Sequence, residues 1–147
     1  MDEQIYRLAR LTAYCKHNET VKSNLLHRHL LEKIVSQAQM IGIESPFLHF
    51  MEVDLVGEDE RNNGDADIVF VDGKKRLFLV EGKIVYSPRS MPNISGINYQ
   101  LHKYYSFFQN MFGLSPHLFG AYKRIESKKI RCYALEPPTC NDDTAGA

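Results

Sequence analysis

The stretch GDADIVFVDGKKRLFLVEGKIV, residues 64–85, decides the fold because it contains two apolar strands joined by a turn. DADIVFV and RLFLVEGKIVY are rich in Val, Ile, Leu and Phe, and Asp72-Gly73 between them is a common hairpin signal. The charged residues Asp67, Glu81 and Lys83 lie within strands that are otherwise typical of a buried sheet. They indicate either a hairpin with one solvated face or a metal site.

The composition is that of one folded domain. The chain has 147 residues, of which 44% are apolar, with eight Tyr and eight Phe. The 18 basic and 18 acidic residues give a net charge of zero. This balance excludes a polycation that binds nucleic acid by bulk charge, but it leaves room for a local basic cleft.

The cysteines and the apolar segments bear on the compartment. Cys15, Cys132 and Cys140 are odd in number and widely spaced, so they predict neither a disulfide framework nor a CxxC metal site. No apolar run approaches the roughly 20 residues of a membrane span, and the N-terminus lacks the apolar segment of a signal peptide. We expect no membrane association and a cytoplasmic protein, or a nuclear one in a eukaryotic cell.

The periodicity predicts helix, helix, three strands, helix and two strands. The predicted helices cover residues 3–16, about Val21 to Met40 and about Ile97 to Phe112; the strands are FLHFMEVDLVG, DADIVFV, RLFLVEGKIVY, HLFGAYKRI and KIRCYALE. Gly42 and Gly113 suit the ends of the second and third helices. Residues 1–136 should form one domain with residues 1–20 as a helical extension, and residues 137–147 a disordered tail.

The residues Glu81-Gly82-Lys83 provide the chemistry. Residues i and i+2 of a strand share a face, so Glu81 and Lys83 point the same way. A carboxylate can bind Mg²⁺, and a neighbouring lysine can orient a water or stabilise charge on a phosphate. Gly82 leaves the opposite face bare and lets its carbonyl approach a metal, while Asp67 would supply a second carboxylate.

Asp67…Glu81-Gly82-Lys83 resembles the Asp…(Asp/Glu)-x-Lys signature of the PD-(D/E)xK nuclease superfamily. The element order of residues 21–135 is similar to its αβββαβ core. GDAD, residues 64–67, resembles the Gly-x-x-Asp form of the RecB-like branch, and Gln100-x-x-x-Tyr104 its Gln-x-x-x-Tyr motif. The proline before Asp67 is absent, and the three cysteines imply no iron–sulfur cluster. The resemblance implies an α/β fold with a restriction-endonuclease-like core, a mixed central sheet flanked by helices.

The resemblance also implies roles. Asp67, Glu81 and the Gly82 carbonyl would bind Mg²⁺ or Mn²⁺, with Lys83 at the attacking water. Gln100 and Tyr104, four residues apart on one helical face, would position Lys83 or the substrate strand.

Further site candidates are less specific. Glu32, on the helix before the first strand, is either another metal ligand or an ordinary solvated glutamate. Asp54 and Glu52 are further acidic candidates nearby. Tyr104, Lys103 and Arg89 are expected to contact nucleic acid. The histidines His27, His29, His49, His102 and His117 show no metal-ligand spacing and are interpreted as surface or core-edge residues.

The expected function is therefore that of a metal-dependent nuclease acting on nucleic acid, with DNA expected rather than RNA. Endonuclease and exonuclease activity both stay open, and cutting both strands of a duplex would favour a homodimer. One alternative is a nuclease-fold module without turnover that binds nucleic acid or assembles with a partner. Another is an unrelated α/β binding domain whose charged hairpin is solvated.

The metal site constrains the turn between the two strands. A two-residue hairpin at Asp72-Gly73 would set Asp67 opposite Phe78 and on the wrong face from Glu81. A five-residue loop, residues 72–76, would set Asp67 opposite Glu81, whereas a three-residue loop would set Asp65 there. A bulge would also restore the common face. We therefore predict an odd loop or a bulge, with Gln100 and Tyr104 facing Lys83.

Overall fold

The computed structural model describes residues 2–20 and 22–139. Its elements are α1 Glu3–Asn18, α2 Leu25–Ser36, a 3₁₀ helix Ala38–Ile41, β1 Leu48–Val56, β2 Asn62–Val71, β3 Leu77–Val85, α3 Ile94–Phe112, β4 His117–Arg124 and β5 Ile130–Leu135. The predicted element order is confirmed, and the fold belongs to the α/β class.

The strands form one five-stranded mixed sheet in the order β1-β2-β3-β4-β5. Strands β3 and β4 are parallel, and every other neighbouring pair is antiparallel. Helix α3 is the crossover that joins the two parallel strands, which a short turn cannot connect. This crossover brings α3 onto the face of the sheet at the end of β3.

The sheet is buried on both faces. Helices α1 and α3 cover one face, where Leu79 packs with Leu11, Leu101 and Phe108. Helix α2 covers the other face, where Phe78 packs with residues such as Leu31. Successive residues of β3 therefore enter different cores, which explains why its sequence is continuously apolar rather than alternating.

Helix α2 is shorter than the sequence predicted. A single helix from Val21 to Met40 is wrong: the Asn24 side chain accepts the His27 backbone N–H and starts the helix at Leu25. After Ser36 the chain continues as the 3₁₀ helix and ends at Gly42 with φ +86°. The Asn24 cap thus sets the start of the helix, although the apolar periodicity of the sequence extends beyond the α-helical residues. Val21 lies outside the described residues.

The β2–β3 connection is the five-residue loop. Val71 pairs with Leu77 and Ile68 with Val80, so the same register sets Asp67 opposite Glu81. The Asp72 carboxylate organises the loop by accepting the backbone N–H groups of Lys74 and Arg76 and the Arg76 guanidinium. The two-residue hairpin does not form, and the prediction of an odd loop is confirmed.

The structure also bears on the predictions about membrane helices, cysteines and the C-terminal tail. Among the described residues, no helix is long and apolar enough to cross a membrane. Cys15 is buried and Cys132 is exposed, and neither forms a disulfide within the part of the chain that the structure describes. Cys140 and the rest of the predicted tail from residue 140 onward lie outside the described residues.

Candidate active site

A cleft of roughly 280 Å³ opens beside β2 and β3 under α3. Its lining contains all five residues predicted to act in catalysis, Asp67, Glu81, Lys83, Gln100 and Tyr104. The structure adds five that the sequence motif does not include: Lys22, Ser23, His27, Glu52 and Asp65. Strands β1, β2 and β3, helix α3 and the chain entering α2 therefore all contribute to one cleft.

The cleft forms where the regular strand pairing stops. The β2–β3 register ends at Ile68 and Val80, one residue before Asp67 and Glu81. Beyond that pair, Asp67 Oδ2 accepts the Gly82 backbone N–H at 2.8 Å. A side chain thus takes the position of a backbone acceptor, and the two strands diverge enough to leave space between them.

The neighbouring strand β1 is irregular at the same level. Its register with β2 includes Met51 with Ile68 and Val53 with Ala66, but no pair at Glu52 and Asp67. Glu52 has φ +54°, a left-handed conformation that is uncommon outside glycine. This local twist turns the Glu52 carboxylate towards the segment before α2.

Glu81 and Glu52 are the two most deeply buried acidic residues of the cleft. Glu81 is 4% exposed, and within the described part of the chain its Oε1 atom has no hydrogen-bond partner. Burial, and then the nearby Asp67 carboxylate, raises the pKa of Glu81 well above its usual range. Lys83 Nζ lies 3.8 Å from Glu81 Oε2 and partly offsets this repulsion.

His27 reaches the site from the first turn of α2. Its Nε2 atom lies 3.3 Å from Asp67 Oδ1, and its side chain is 17% exposed. The partial burial of His27 agrees with the prediction of a surface or core-edge histidine. The contact of its ring with Asp67 was not predicted. No spacing in the sequence connects His27 with Asp67, because 40 residues separate them.

Glu52 braces the chain that leads into α2. Its carboxylate accepts the backbone N–H groups of Lys22 and Ser23 and the Arg28 guanidinium at 2.7 Å. Burial alone would raise the pKa of Glu52, but the hydrogen bonds from Ser23 and Arg28 lower it overall. The Glu52 carboxylate is therefore fully hydrogen-bonded, and it fixes the segment before α2 against the cleft.

Asp54 and Asp65 form a second acidic pair at the cleft edge. They lie directly opposite each other on β1 and β2, and Lys22 Nζ contacts both carboxylates. Burial and the neighbouring Asp54 raise the pKa of Asp65, whereas the hydrogen bond with Asp65 lowers the pKa of Asp54. Asp54 and Lys22 thus form an ion pair, and Asp65 is the member of the acidic pair that keeps its proton to higher pH.

Three predicted site residues do not line the cleft. The Glu32 side chain is 55% exposed and lies 3.9 Å from the Arg28 guanidinium, so the solvated-glutamate alternative describes it. Lys103 lies about 100° around α3 from Tyr104 and borders another depression with Glu58 and Asp59. Arg89 is exposed in the loop after β3. Glu32 therefore lies outside the cleft as a candidate metal ligand, whereas the expectation that Lys103 and Arg89 contact nucleic acid stays a prediction.

Helix α3 presents Gln100 and Tyr104 to the cleft together, as predicted. The predicted core residues Leu101 and Phe108 are 1% and 0% exposed, and Tyr105 packs partly buried against the same core. Burial, and then the charges of Glu81 and Asp67, raises the pKa of Tyr104. The tyrosine therefore stays neutral over the ordinary pH range.

Tyr104 also explains the glycine that precedes the site aspartates. Gly64 has φ +117°, and a Cβ built on it would lie 2.8 Å from the Tyr104 hydroxyl. Only glycine satisfies both the backbone conformation and the close approach of the ring. Gly64 thus lets α3 pack directly over the start of the cleft.

The donor set fits a hard divalent cation that keeps part of its water shell. Among the described residues, no three His, Cys, Asp or Glu side chains are arranged as a preformed metal site. Asp67 and Glu81 nevertheless line one small cleft, the buried Oε1 of Glu81 has no partner within the described residues, and the residues present fit such an ion. Mg²⁺ in particular is commonly bound by one or two carboxylates with water and substrate oxygens.

Comparisons with protein-family models, curated proteins and solved structures found no match to this chain.

Proposed function

We propose that the protein is a divalent-metal-dependent nuclease that hydrolyses phosphodiester bonds in nucleic acid, with DNA as the expected substrate. The observation that carries this proposal is the close approach of the Asp67 and Glu81 carboxylates in the gap between β2 and β3. The Oε1 atom of Glu81 has no hydrogen-bond partner within residues 2–20 and 22–139. Two adjacent buried carboxylates repel each other unless a proton or a cation lies between them. Lys83 stands beside this pair at the cleft opening.

The arrangement of the elements supports the same proposal. The order α2, β1, β2, β3, α3, β4 corresponds to the αβββαβ core of restriction-endonuclease-like nucleases. In such a core, the two acidic positions come from neighbouring strands, as Asp67 and Glu81 do here. We therefore assign residues 25–124 to a restriction-endonuclease-like core, with α1 packed on the face that α3 also covers.

Asp67 and Glu81 would hold Mg²⁺ or Mn²⁺, and the Gly82 carbonyl would be a third ligand. The N–H and C=O of one strand residue point towards the same neighbour, so this carbonyl faces the gap in which Asp67 accepts the Gly82 N–H. When bound, the cation would neutralise charge on the scissile phosphate and acidify a bound water.

Lys83 supplies the mobile charge. Its side chain is 53% exposed, so the ammonium could swing from Glu81 towards a phosphate bound in the cleft. In this proposal the ammonium orients the attacking water and stabilises the negative charge that develops on the phosphate. Gln100 borders both the cleft and the adjacent groove, where its amide can hold Lys83 or the substrate strand.

The test is cleavage of linear, circular and single-stranded DNA, and of RNA, in Mg²⁺, Mn²⁺, Ca²⁺ and EDTA. We expect cleavage in Mg²⁺ or Mn²⁺ and none in EDTA. Asp67→Asn and Glu81→Gln, which keep side-chain size, should each abolish it. Glu32→Gln is the matched control, because this carboxylate lies outside the cleft, and it should cut at the wild-type rate.

Two results would contradict the proposal. Cleavage that persists in EDTA would remove the metal from the mechanism. Binding of nucleic acid without cleavage in either metal would favour the alternative of a nuclease-fold module that lacks turnover.

A further inference from the structure

The β4–β5 hairpin carries an excess of positive charge that the whole chain does not have. Its stretch YKRIESKKIR, residues 122–131, contains five basic residues and one acidic residue, although the chain has zero net charge. None of the five, Lys123, Arg124, Lys128, Lys129 and Arg131, forms an ion pair within the described ranges 2–20 and 22–139. No acidic side chain in the described part of the chain therefore neutralises this charge.

Strand register places part of this charge in line with the candidate active site. Lys83 is paired with Tyr122, and Tyr122 is paired with Arg131. Side chains at paired positions lie on the same face of a sheet, so these three form a row. With strands about 4.8 Å apart, the Arg131 backbone lies about 10 Å from that of Lys83. Glu81 belongs to the neighbouring row, with Gly120 and Tyr133.

One depression of roughly 290 Å³ is lined by Tyr122, Arg124, Lys129 and Arg131 together with Ser127. We name the surface formed by Tyr122, Arg124, Lys129 and Arg131 the basic strip. A second groove, of roughly 490 Å³, shares Lys83 and Gln100 with the cleft. The groove therefore continues directly from the cleft, whereas the basic strip is connected to Lys83 through the row of Tyr122 and Arg131.

The basic strip is fixed to neighbouring elements by two hydrogen bonds that do not use the side chains of Lys129 and Arg131. The Arg124 guanidinium donates to the Ser90 carbonyl at 2.8 Å, which ties the β3–α3 loop to the strip. The Lys33 ammonium donates to the Lys128 carbonyl at 2.6 Å, which fixes the β4–β5 turn to α2. Both Lys129 and Arg131 are exposed. Their side chains are free to meet phosphates on a preformed surface.

We propose that the basic strip binds the backbone of a single-stranded segment of nucleic acid and leads it to Lys83. The inference rests on the proposed function and names the form of the substrate. A single strand is favoured over a duplex because proteins that bind single strands combine a positively charged path with aromatic side chains. Here Tyr122 lies in the strip and Tyr86, 54% exposed, in the groove that contains Lys83.

Binding in the absence of Mg²⁺ and Mn²⁺ tests the strip separately from cleavage. The probe is a fluorescein-labelled DNA single strand of about 20 nucleotides, longer than one strand-binding site requires. Its anisotropy is followed in EDTA between about 50 and 200 mM salt. The variant is Lys129→Gln with Arg131→Gln; Arg124 is left intact because it holds the loop. The control, Lys16→Gln with Lys74→Gln, removes the same charge elsewhere.

We expect the strip variant to bind at least about tenfold more weakly at low salt. Its slope of log affinity against log salt should fall by about 1.4, since each lost phosphate contact on a single strand contributes about 0.7. The control should keep the wild-type affinity and slope. All four changed side chains are on the surface, so both variants should retain the wild-type melting temperature.

Three outcomes overturn the proposal or part of it. Equal weakening by the strip variant and the control would show a general charge effect, and an unchanged strip variant would remove the strip from binding. Tighter binding of a duplex of equal length would overturn the preference for a single strand. Binding that depends on the strip, without cleavage in any metal, would support the basic strip and contradict the nuclease activity. Metal-dependent cleavage by a protein whose strip variant binds like the wild type would support the nuclease activity and contradict the basic strip.

Discussion

The Asp67 carboxylate accepts the backbone N–H of Gly82 at 2.8 Å, in the gap where β2 and β3 stop pairing. Gly82 connects this bond to the opposite face of the sheet, because a Cβ there would lie 3.3 Å from Leu30 and 3.4 Å from Leu31 of α2. The position of Asp67 is therefore sensitive to how α2 packs beneath the site.

Gly82→Ala and Gly82→Val test this link. Alanine would meet only the ends of flexible leucine side chains, so we expect a small loss of stability. Valine overpacks the contact and should lower the free energy of unfolding by about 1–3 kcal/mol. Urea denaturation measures the difference, and a valine variant as stable as the wild type would show that α2 does not constrain Gly82.

Glu81→Gln should stabilise the metal-free protein at neutral pH. Burial and the neighbouring Asp67 raise the pKa of Glu81 in the folded state, whereas the unfolded chain ionises near the ordinary glutamate pKa of about 4.3. Stability is thus fully present below that pH and decreases as the pH rises towards the folded pKa. Glutamine removes this loss, so in EDTA the variant should melt higher than the wild type at about pH 7.5 and equally at about pH 4.

Mn²⁺ should reverse the order of the melting temperatures of the wild type and Glu81→Gln. Mn²⁺ binds the folded wild type and raises its melting temperature, but it has no carboxylate pair to bind in Glu81→Gln. Thermal melts with and without Mn²⁺ measure both effects. Equal stabilisation of the two proteins by Mn²⁺ would mean that the ion binds elsewhere.

Lys83→Ala should separate chemistry from binding. It leaves both carboxylates in place, so Mn²⁺ binding persists, but turnover should fall by about 10²-fold or more, the scale of a lost acid–base or electrostatic group. Cleavage rates in Mg²⁺ or Mn²⁺ are measured beside gel shifts in Ca²⁺. Nucleic acid binding should survive through phosphate contacts elsewhere. A variant that cuts at the normal rate would exclude Lys83 from the mechanism.

Gly64→Ala should disturb the cleft through Tyr104. The alanine Cβ would be strained at φ +117° and would lie 2.8 Å from the Tyr104 hydroxyl. We expect a loss of about 1–3 kcal/mol in the free energy of unfolding. Gly57→Ala is the control, because its φ is not positive and its nearest contact is an Asp59 side chain at 3.3 Å. Equal stability of the two variants would contradict the packing of Tyr104 over Gly64.

Asp72→Asn tests the loop that sets the strand register. Burial alone would raise the pKa of Asp72, but the Arg76 guanidinium and backbone N–H groups lower it to about 2. Its stabilising contribution is therefore present above the ordinary aspartate pKa of about 3.9 and is lost as the pH falls towards 2. The variant should lose about 2 kcal/mol at neutral pH and progressively less in acid. A pH-independent difference would contradict this origin.

The sequence by itself determined the features that depend on local periodicity. The apolar run of β3 and the alternation of Glu81 with Lys83 follow from a strand buried on both faces with a two-residue repeat. The four-residue spacing of Gln100 and Tyr104 places both side chains on one face of α3. These relations hold within single elements, so they could be predicted without knowing what packs against them.

Only the tertiary structure decided the features that depend on distant contacts. The Asp72 carboxylate also accepts the Glu44 backbone N–H, from 28 residues away, so the length of the β2–β3 loop is not a local property. His27 meets Asp67, and Arg131 aligns with Lys83, only because α2 packs on the sheet and β4 returns parallel to β3. Glu32 and Lys103 have suitable chemistry, but the rotation of their helices points them away from the cleft.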